Sequence, residues 1–230
     1  MCGRYAQFRD ADDLANVFRV QLVTPDAASL LPSWNVAPTQ PVRIVRDTLE
    51  VSPEPLRTLE LAKWGLVPTW AKDPAIGSRM INARSETVAE KPSFRGPIRY
   101  SRCLVPAEGY YEWQKPAPGK RLKTPHYIYR EDGAPLAFAG MYSLWRDELL
   151  TCTILTQEAR PTLRELHERE PVVLSDDVID AWLDPSLKES DEALAMLAHD
   201  PPALTHHIVS TEVNAVRNNA PHLIEPAILL

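Results

Sequence analysis

Cys2 directly follows the initiator methionine, so loss of Met1 leaves a chain that starts with an amine and a thiol on neighbouring carbons. Such a 1,2-aminothiol traps aldehydes. The amine adds to the carbonyl to give an imine, and the sulfur then closes a five-membered thiazolidine that is harder to hydrolyse than the imine alone. In water the two groups titrate at roughly 7.7–8.0 and about 8.5, so modest local tuning makes both reactive near neutrality. A cysteine at position 2 also arises by chance, and the other chemical residues have to supply its company.

They lie in short motifs along the chain. In Met80-Ile81-Asn82-Ala83-Arg84-Ser85-Glu86-Thr87, an amide and a guanidinium stand two residues apart, and on an extended segment both face one side. Asn82 can hold a reacting oxygen or an N-terminal amine, and Arg84 can grip a phosphate in a fork. The same run also reads as a strand leading to a helix capped by Ser85. Glu112 stands among aromatics in Gly109-Tyr110-Tyr111-Glu112-Trp113, where desolvation raises a carboxyl pKa and suits it to proton transfer; the alternative is a water-exposed carboxylate on an edge strand. His167 follows a helical stretch, Thr162 to Leu166, and can shuttle protons near neutral pH, while Arg169 two residues on can meet a phosphate. His126, His206, His207 and His222 read as structural or solvated. No HExxH pattern or Cys/His array is present, which argues against a metal site, and glycine-rich phosphate loops are absent.

The elements that position these residues read as many short strands with a few helices at the edges. Strands are expected within 2–8, 59–67, 102–106, 126–129, 136–144, 149–155, 172–174 and 207–209, with a turn at Asp132-Gly133. Val42 to Val45 and Leu49 to Val51 flank Arg46-Asp47-Thr48 as a hairpin. Asp10 caps a short helix with Leu14, Val17 and Phe18 on one face; Ser175 caps another over 176–183, and a third spans about 191–198. Lys115 to Lys123 reads as a surface loop. The pattern predicts an α+β fold: a mostly antiparallel sheet with short peripheral helices, in one domain over residues 1–230.

Composition bounds the class. The 230 residues are 44% hydrophobic, enough for one substantial core, and no apolar run is long enough to span a membrane. A signal peptide is not apparent, and the three cysteines show no disulfide framework, which points to the cytosol; Cys103 and Cys152 read as buried thiols. Net charge is −6, which by itself speaks against nucleic acid, but Arg79, Arg84, Lys91, Arg95, Arg99 and Arg102 crowd the middle of the chain and make a local basic face available.

Six motifs in order, Met1 to Ala6, Trp34 to Thr39, Trp64 to Pro68, Ile81 to Arg84, Tyr111 to Trp113 and His167 to Pro171, with the late Val213-Asn214, resemble the SOS response-associated peptidase family. The resemblance implies a compact α+β fold with a curved, mostly antiparallel, barrel-like sheet, and a protein that recognises abasic sites in single-stranded DNA and crosslinks to them, with autopeptidase and lyase activity. On the matching positions, Cys2 is the nucleophile, Asn82 orients it, Glu112 assists proton transfer and ring reversal, and His167 acts as acid and base. Arg4, Arg84 and Arg169 hold phosphates, and Trp70 stacks beside the lesion. The resemblance implies no cofactor and no membrane, a monomer, and a cytoplasmic, nucleoid-associated location in a bacterium. Two departures stand out: Glu168 follows the histidine where the family often has Asp, and Glu170 places an acid next to Arg169. With the acidic total, this predicts a shallow salt dependence of DNA binding. Class II glutamine amidotransferases also begin Met-Cys-Gly and explain Cys2 equally well, but they leave Asn82, Glu112 and His167 without roles.

Overall fold

The computed structural model describes residues 2–49, 54–116 and 122–228. Its strands are β1 (Tyr5–Gln7), β2 (Leu22–Val23), β3 (Ser33–Val36), β4 (Pro41–Thr48), β5 (Leu56–Trp64), β6 (Asn82–Arg84) and β7 (Arg102–Ala107). They continue with β8 (Gly109–Gln114), β9 (Thr124–Arg130), β10 (Leu136–Trp145), β11 (Leu149–Glu158), β12 (Arg169–Pro171) and β13 (Leu204–Ile208). One sheet runs β13-β9-β8-β1-β3, and its pairs are antiparallel. The second runs β12-β11-β10-β7-β4-β5-β2, and a parallel contact of Thr151 and Cys152 with Lys63 and Trp64 joins β11 back to β5. That contact closes β5-β4-β7-β10-β11 into a ring, which removes two exposed edges. The expected α+β class with a curved, mostly antiparallel sheet is what the chain adopts.

Strand periodicity builds the core on both faces of the ring. Along β7, Cys103, Val105 and Ala107 join one apolar cluster and Leu104 another; along β10, Leu136 and Phe138 part from Ala137, Ala139 and Met141 in the same way. The first cluster fills the space between the two sheets and contains Cys2, Tyr5, Trp64 and Tyr110. The second lies under helices α1 (Ala11–Phe18), α4 (Ile179–Leu183) and α5 (Ser190–Ala195), with α2 (Pro25–Ser29) and α3 (Pro97–Tyr100) also at the periphery. Cys103 and Cys152 are buried free thiols, as their apolar context predicts.

Several expected boundaries move. The Arg46 to Thr48 turn is not one: these residues continue β4 in register with Leu56 to Thr58, and residues 50–53 lie outside the described chain. Asp10 caps α1 by accepting from the Asp13 N–H, but Val17 is 47% exposed and Ala11 takes its place on the buried face. The helix after Ser175 forms only over Ile179–Leu183, without a side-chain cap, because Ser175 to Val178 make a turn first. Thr162 to Leu166 is a series of turns rather than a helix. Of the loop from Lys115 to Lys123, residues 117–121 lie outside the described chain.

Candidate active site

Residue Asn82 is positioned by the carbonyl just before it. The Ile81 oxygen accepts from the Ile154 N–H at 3.1 Å and from the indole Nε1 of fully buried Trp64 at 2.9 Å. β6 then runs parallel to β11, with Asn82 opposite Ile154. Behind it, Gly65 has φ +133 and stacks so closely on Gly77 that a Cβ there would meet the Gly77 oxygen at 2.5 Å; no other residue lets the chain turn from β5 toward β6 in this way. Held thus, the Asn82 Nδ2 donates to the main-chain carbonyl of Cys2 at 2.7 Å. Its Oδ1 is buried and accepts no hydrogen bond among the described residues. The strand does lead into a short 3-10 turn, Ser85–Thr87, as the structural reading of this motif expects, but Arg84 rather than Ser85 occupies the cap position.

Glu112 reaches the same space from β8. Tyr110, two residues earlier, lies in the apolar cluster with Cys2, so the alternation of the strand turns Glu112 to the same face. β8 is flanked by β1 and β9, and Glu112 is 5% exposed, so the water-exposed edge reading does not hold. Burial pushes its carboxyl up to about 7. Burial also raises the Cys2 thiol far above its ordinary value; the neighbouring Glu112 charge adds to this, and the Arg4 N–H opposes it. His167 is half-buried, and burial lowers its pKa. Its Nδ1 faces the Arg169 main chain, 3.0 Å from the N–H and 3.2 Å from the carbonyl oxygen. Lys123 lowers both Glu112 and His167, so these two groups share one cationic neighbourhood.

The phosphate candidates are placed differently. Arg84 is exposed at the end of β6 and makes no ion pair among the described residues. Arg169 forms a two-point ion pair with Glu86 and also donates to the Thr156 oxygens. The acid facing its guanidinium is therefore Glu86, not the adjacent Glu170, which is buried against Arg160. Arg4 turns to the opposite face of its sheet, where it donates to Asn35 Oδ1 and the Val213 carbonyl, both at 2.8 Å, and lies over Trp113. Trp70 is 59% exposed in a cleft of its own. Arg102 does not belong to a basic face: it is buried and donates to the carbonyls of Trp182, Ile98, Arg99, Asp184 and Leu187.

Sequence reasoning missed two contributors. Asn35 binds Arg4 and donates to three carbonyls of the C-terminal segment, those of Val213, Ala215 and Asn218. The Trp34 to Thr39 motif was the signal for it. His126 pairs with Glu112 across β8 and β9, is 6% exposed, and lies 3.2 Å from His206 between Nδ1 atoms. No motif marked that pair. Among the described residues no cluster of His, Cys, Asp or Glu is arranged to hold a metal, and no helix is long and apolar enough to cross a membrane.

Comparison with known proteins identifies the family and the fold. Residues 1–216 match the family described as SOS response associated peptidase (SRAP). The chain is 38% identical to the abasic site processing protein YoqW of Bacillus subtilis, over 98% of this chain and 99% of that one. It is 36% identical to YoaM of the same organism, also named an abasic site processing protein, over 98% of each chain. The crystal structure of a protein from Bacteroides thetaiotaomicron superposes with a TM-score of 0.84 at 25% identity, covering 99% of this chain and 100% of that one.

Proposed function

The chain belongs to the SOS response associated peptidase family, and from that premise we propose that it captures abasic sites in single-stranded DNA through a thiazolidine at Cys2 once Met1 is removed. The observation that carries this reading is the convergence on Cys2: an amide from Asn82 on its carbonyl at 2.7 Å, and a buried carboxyl, Glu112, close enough to raise its thiol. The relatives' printed names, abasic site processing proteins, supply the substrate class.

The electrostatics order the steps. Burial keeps the thiol protonated, so the α-amine attacks first, forming a bond to C1 of the ring-opened sugar. The carbonyl oxygen takes both protons of the amine and leaves as water, giving the imine. The sulfur then bonds to the same carbon, and its proton passes to the nitrogen. Glu112, near 7, is equally able to give a proton to the departing oxygen and to take one back. His167, whose pKa burial lowers, acts as acid and base on the Schiff base and in strand cleavage, and the same chemistry in reverse opens the ring. Asn82 fixes Cys2 so that amine and thiol approach one carbon together. Arg84 is the first cation offered to a flanking phosphate. A single strand fits because a base-free sugar has to enter a pocket.

Denaturing electrophoresis with intact mass tests this on single-stranded DNA carrying one abasic site. The expected product is a heat-resistant adduct equal to the chain without Met1 plus the DNA less one water, absent for Cys2→Ala. A chain correctly freed of Met1 that forms no adduct sinks the proposal and returns attention to amide hydrolysis.

A further inference from the structure

A cleft of about 800 Å3 opens on the surface beside Trp70, within the size range of ligand clefts. Three aromatic side chains line it, the exposed Trp70 (59%) and Tyr100 (56%) and the half-buried Tyr142. Surface aromatics that share one cleft are unusual on a soluble protein and mark a binding surface. Arg95 and Arg99 line it as well, and no Asp or Glu does, although the chain carries 31 acids against 25 Lys and Arg. Arg95 is exposed and makes no ion pair among the described residues. Arg99 lies over the Tyr100 ring at 5.3 Å, donates to the Lys188 carbonyl at 2.9 Å and makes a long ion pair, Nη2 to Oε1 at 3.9 Å, with the exposed Glu189. The ring is thus held from one side by a cation that is itself anchored.

Both walls continue the segments that build the Cys2 site. One wall, Pro68 to Trp70, follows Val67, whose N–H donates to Thr151 Oγ1 on β11, the strand that also carries β6. The other, with Ala89, Pro92 and Ser93, follows Asn82 and Arg84 through the Ser85–Thr87 turn. We propose that this cleft holds the nucleotides flanking the lesion on one side only, with Tyr100 as a base-stacking platform and Arg95 and Arg99 as phosphate contacts. Stacking is indifferent to base identity because every base has a π-face, so the subsite adds length dependence and strand polarity without sequence preference. The inference rests on the reading of the Cys2 site as a trap for abasic single strands.

The test uses three oligonucleotides with one abasic site: flanked on both sides, extended only 5′, and extended only 3′. Affinity is read by fluorescence anisotropy with a Cys2→Ala background, and adduct formation by denaturing gels with Cys2 intact. Tyr100→Ala is expected to weaken one of the two one-sided oligonucleotides about fivefold or more and leave the other within a factor of two, and Tyr100→Phe to restore the loss. Arg95→Ala should lower the salt slope on that same oligonucleotide by about one. Equal affinity of Tyr100→Ala and the parent on both oligonucleotides overturns the proposal, as does a uniform loss on both, which signals damage elsewhere. An apolar peptide subsite would give the first of these results. If the parent forms no Cys2-dependent adduct with any oligonucleotide, the reading of the Cys2 site fails by itself; if adducts form but Tyr100→Ala is silent, only the flanking subsite fails.

Discussion

Arg169 and Glu86 face each other in a two-point ion pair, Nη1 to Oε1 at 2.6 Å and Nη2 to Oε2 at 2.9 Å. The pair joins β12 to the turn after β6, and so ties the segment of His167 to the segment of Asn82. The Arg169 guanidinium pulls the Glu86 carboxyl below its usual range. A phosphate that takes Arg169 has to displace a carboxylate already seated there.

Glu86→Gln should therefore strengthen binding to single-stranded DNA. Half of the pair is open to water, so the stability lost is under about 1 kcal/mol. Affinity is expected to rise a few-fold near physiological salt, and the log-log salt slope to steepen by about one as Arg169 becomes available to a phosphate. An unchanged slope means that Arg169 stays with Thr156 and takes no phosphate. The parent slope itself should reflect only a few phosphates.

Asn82→Ala removes the bond to the Cys2 carbonyl. The stability cost is about 1 kcal/mol, because the other end of that bond is a carbonyl left buried. The effect on adduct formation is expected to be larger, at least tenfold in rate, since Cys2 then samples orientations in which amine and sulfur do not meet one carbon. Single-turnover rates beside thermal melts separate the two. A rate loss no greater than the stability loss predicts would make Asn82 a packing residue.

Much of this site is legible in the residues alone because its chemistry is local. Cys2 announces itself by position, and the pairs Asn82/Arg84 and Tyr110/Glu112 lie two residues apart, the spacing that a strand turns to one face. What escaped was decided by distant segments. Glu170 looked like the acid at Arg169 because it is next in sequence, but β12 alternates and sends it inward to Arg160, while Glu86 arrives from 83 residues away. Arg102 looked like part of a basic face until the ends of α3 and α4 turned their carbonyls onto it. The ring closed by β5 and β11 depends on a parallel contact that no periodicity reveals.

Two buried carboxyls set the response to alkali. Burial raises Glu112 and Glu108 to about 7, against roughly 4.3 in the unfolded chain. The folded state binds these protons more tightly, so stability is lost as pH climbs from about 4.3 to about 7. Glu112→Gln should remove its share. Relative to the parent it is expected to gain about 1–3 kcal/mol between pH 5 and pH 8, measured by urea unfolding at each pH. Its adduct formation should also lose the limb that titrates near 7. Parallel stability profiles for the variant and parent would mean that Glu112 is not held protonated.

His126 acts in the opposite direction. It is buried at the end of the same inner face, opposite Glu112 in the β8–β9 ladder, and 3.2 Å from His206. Burial lowers its pKa to about 4, with His206 and His207 adding to the shift, whereas an unfolded histidine titrates near 6.5. The unfolded chain therefore binds the proton first, and stability is lost as pH falls from about 6.5 to about 4, just where the two carboxyls make the fold firmer. The parent should show a flattened profile in that window from two opposed slopes. His126→Phe takes away only the histidine slope, so the variant should gain stability over the parent as pH is lowered from 7 to 4.5, by about 1–3 kcal/mol. Urea unfolding at half-unit intervals measures the difference directly, and a constant offset between the two curves would show that His126 takes up its proton in the folded chain as readily as in the unfolded one.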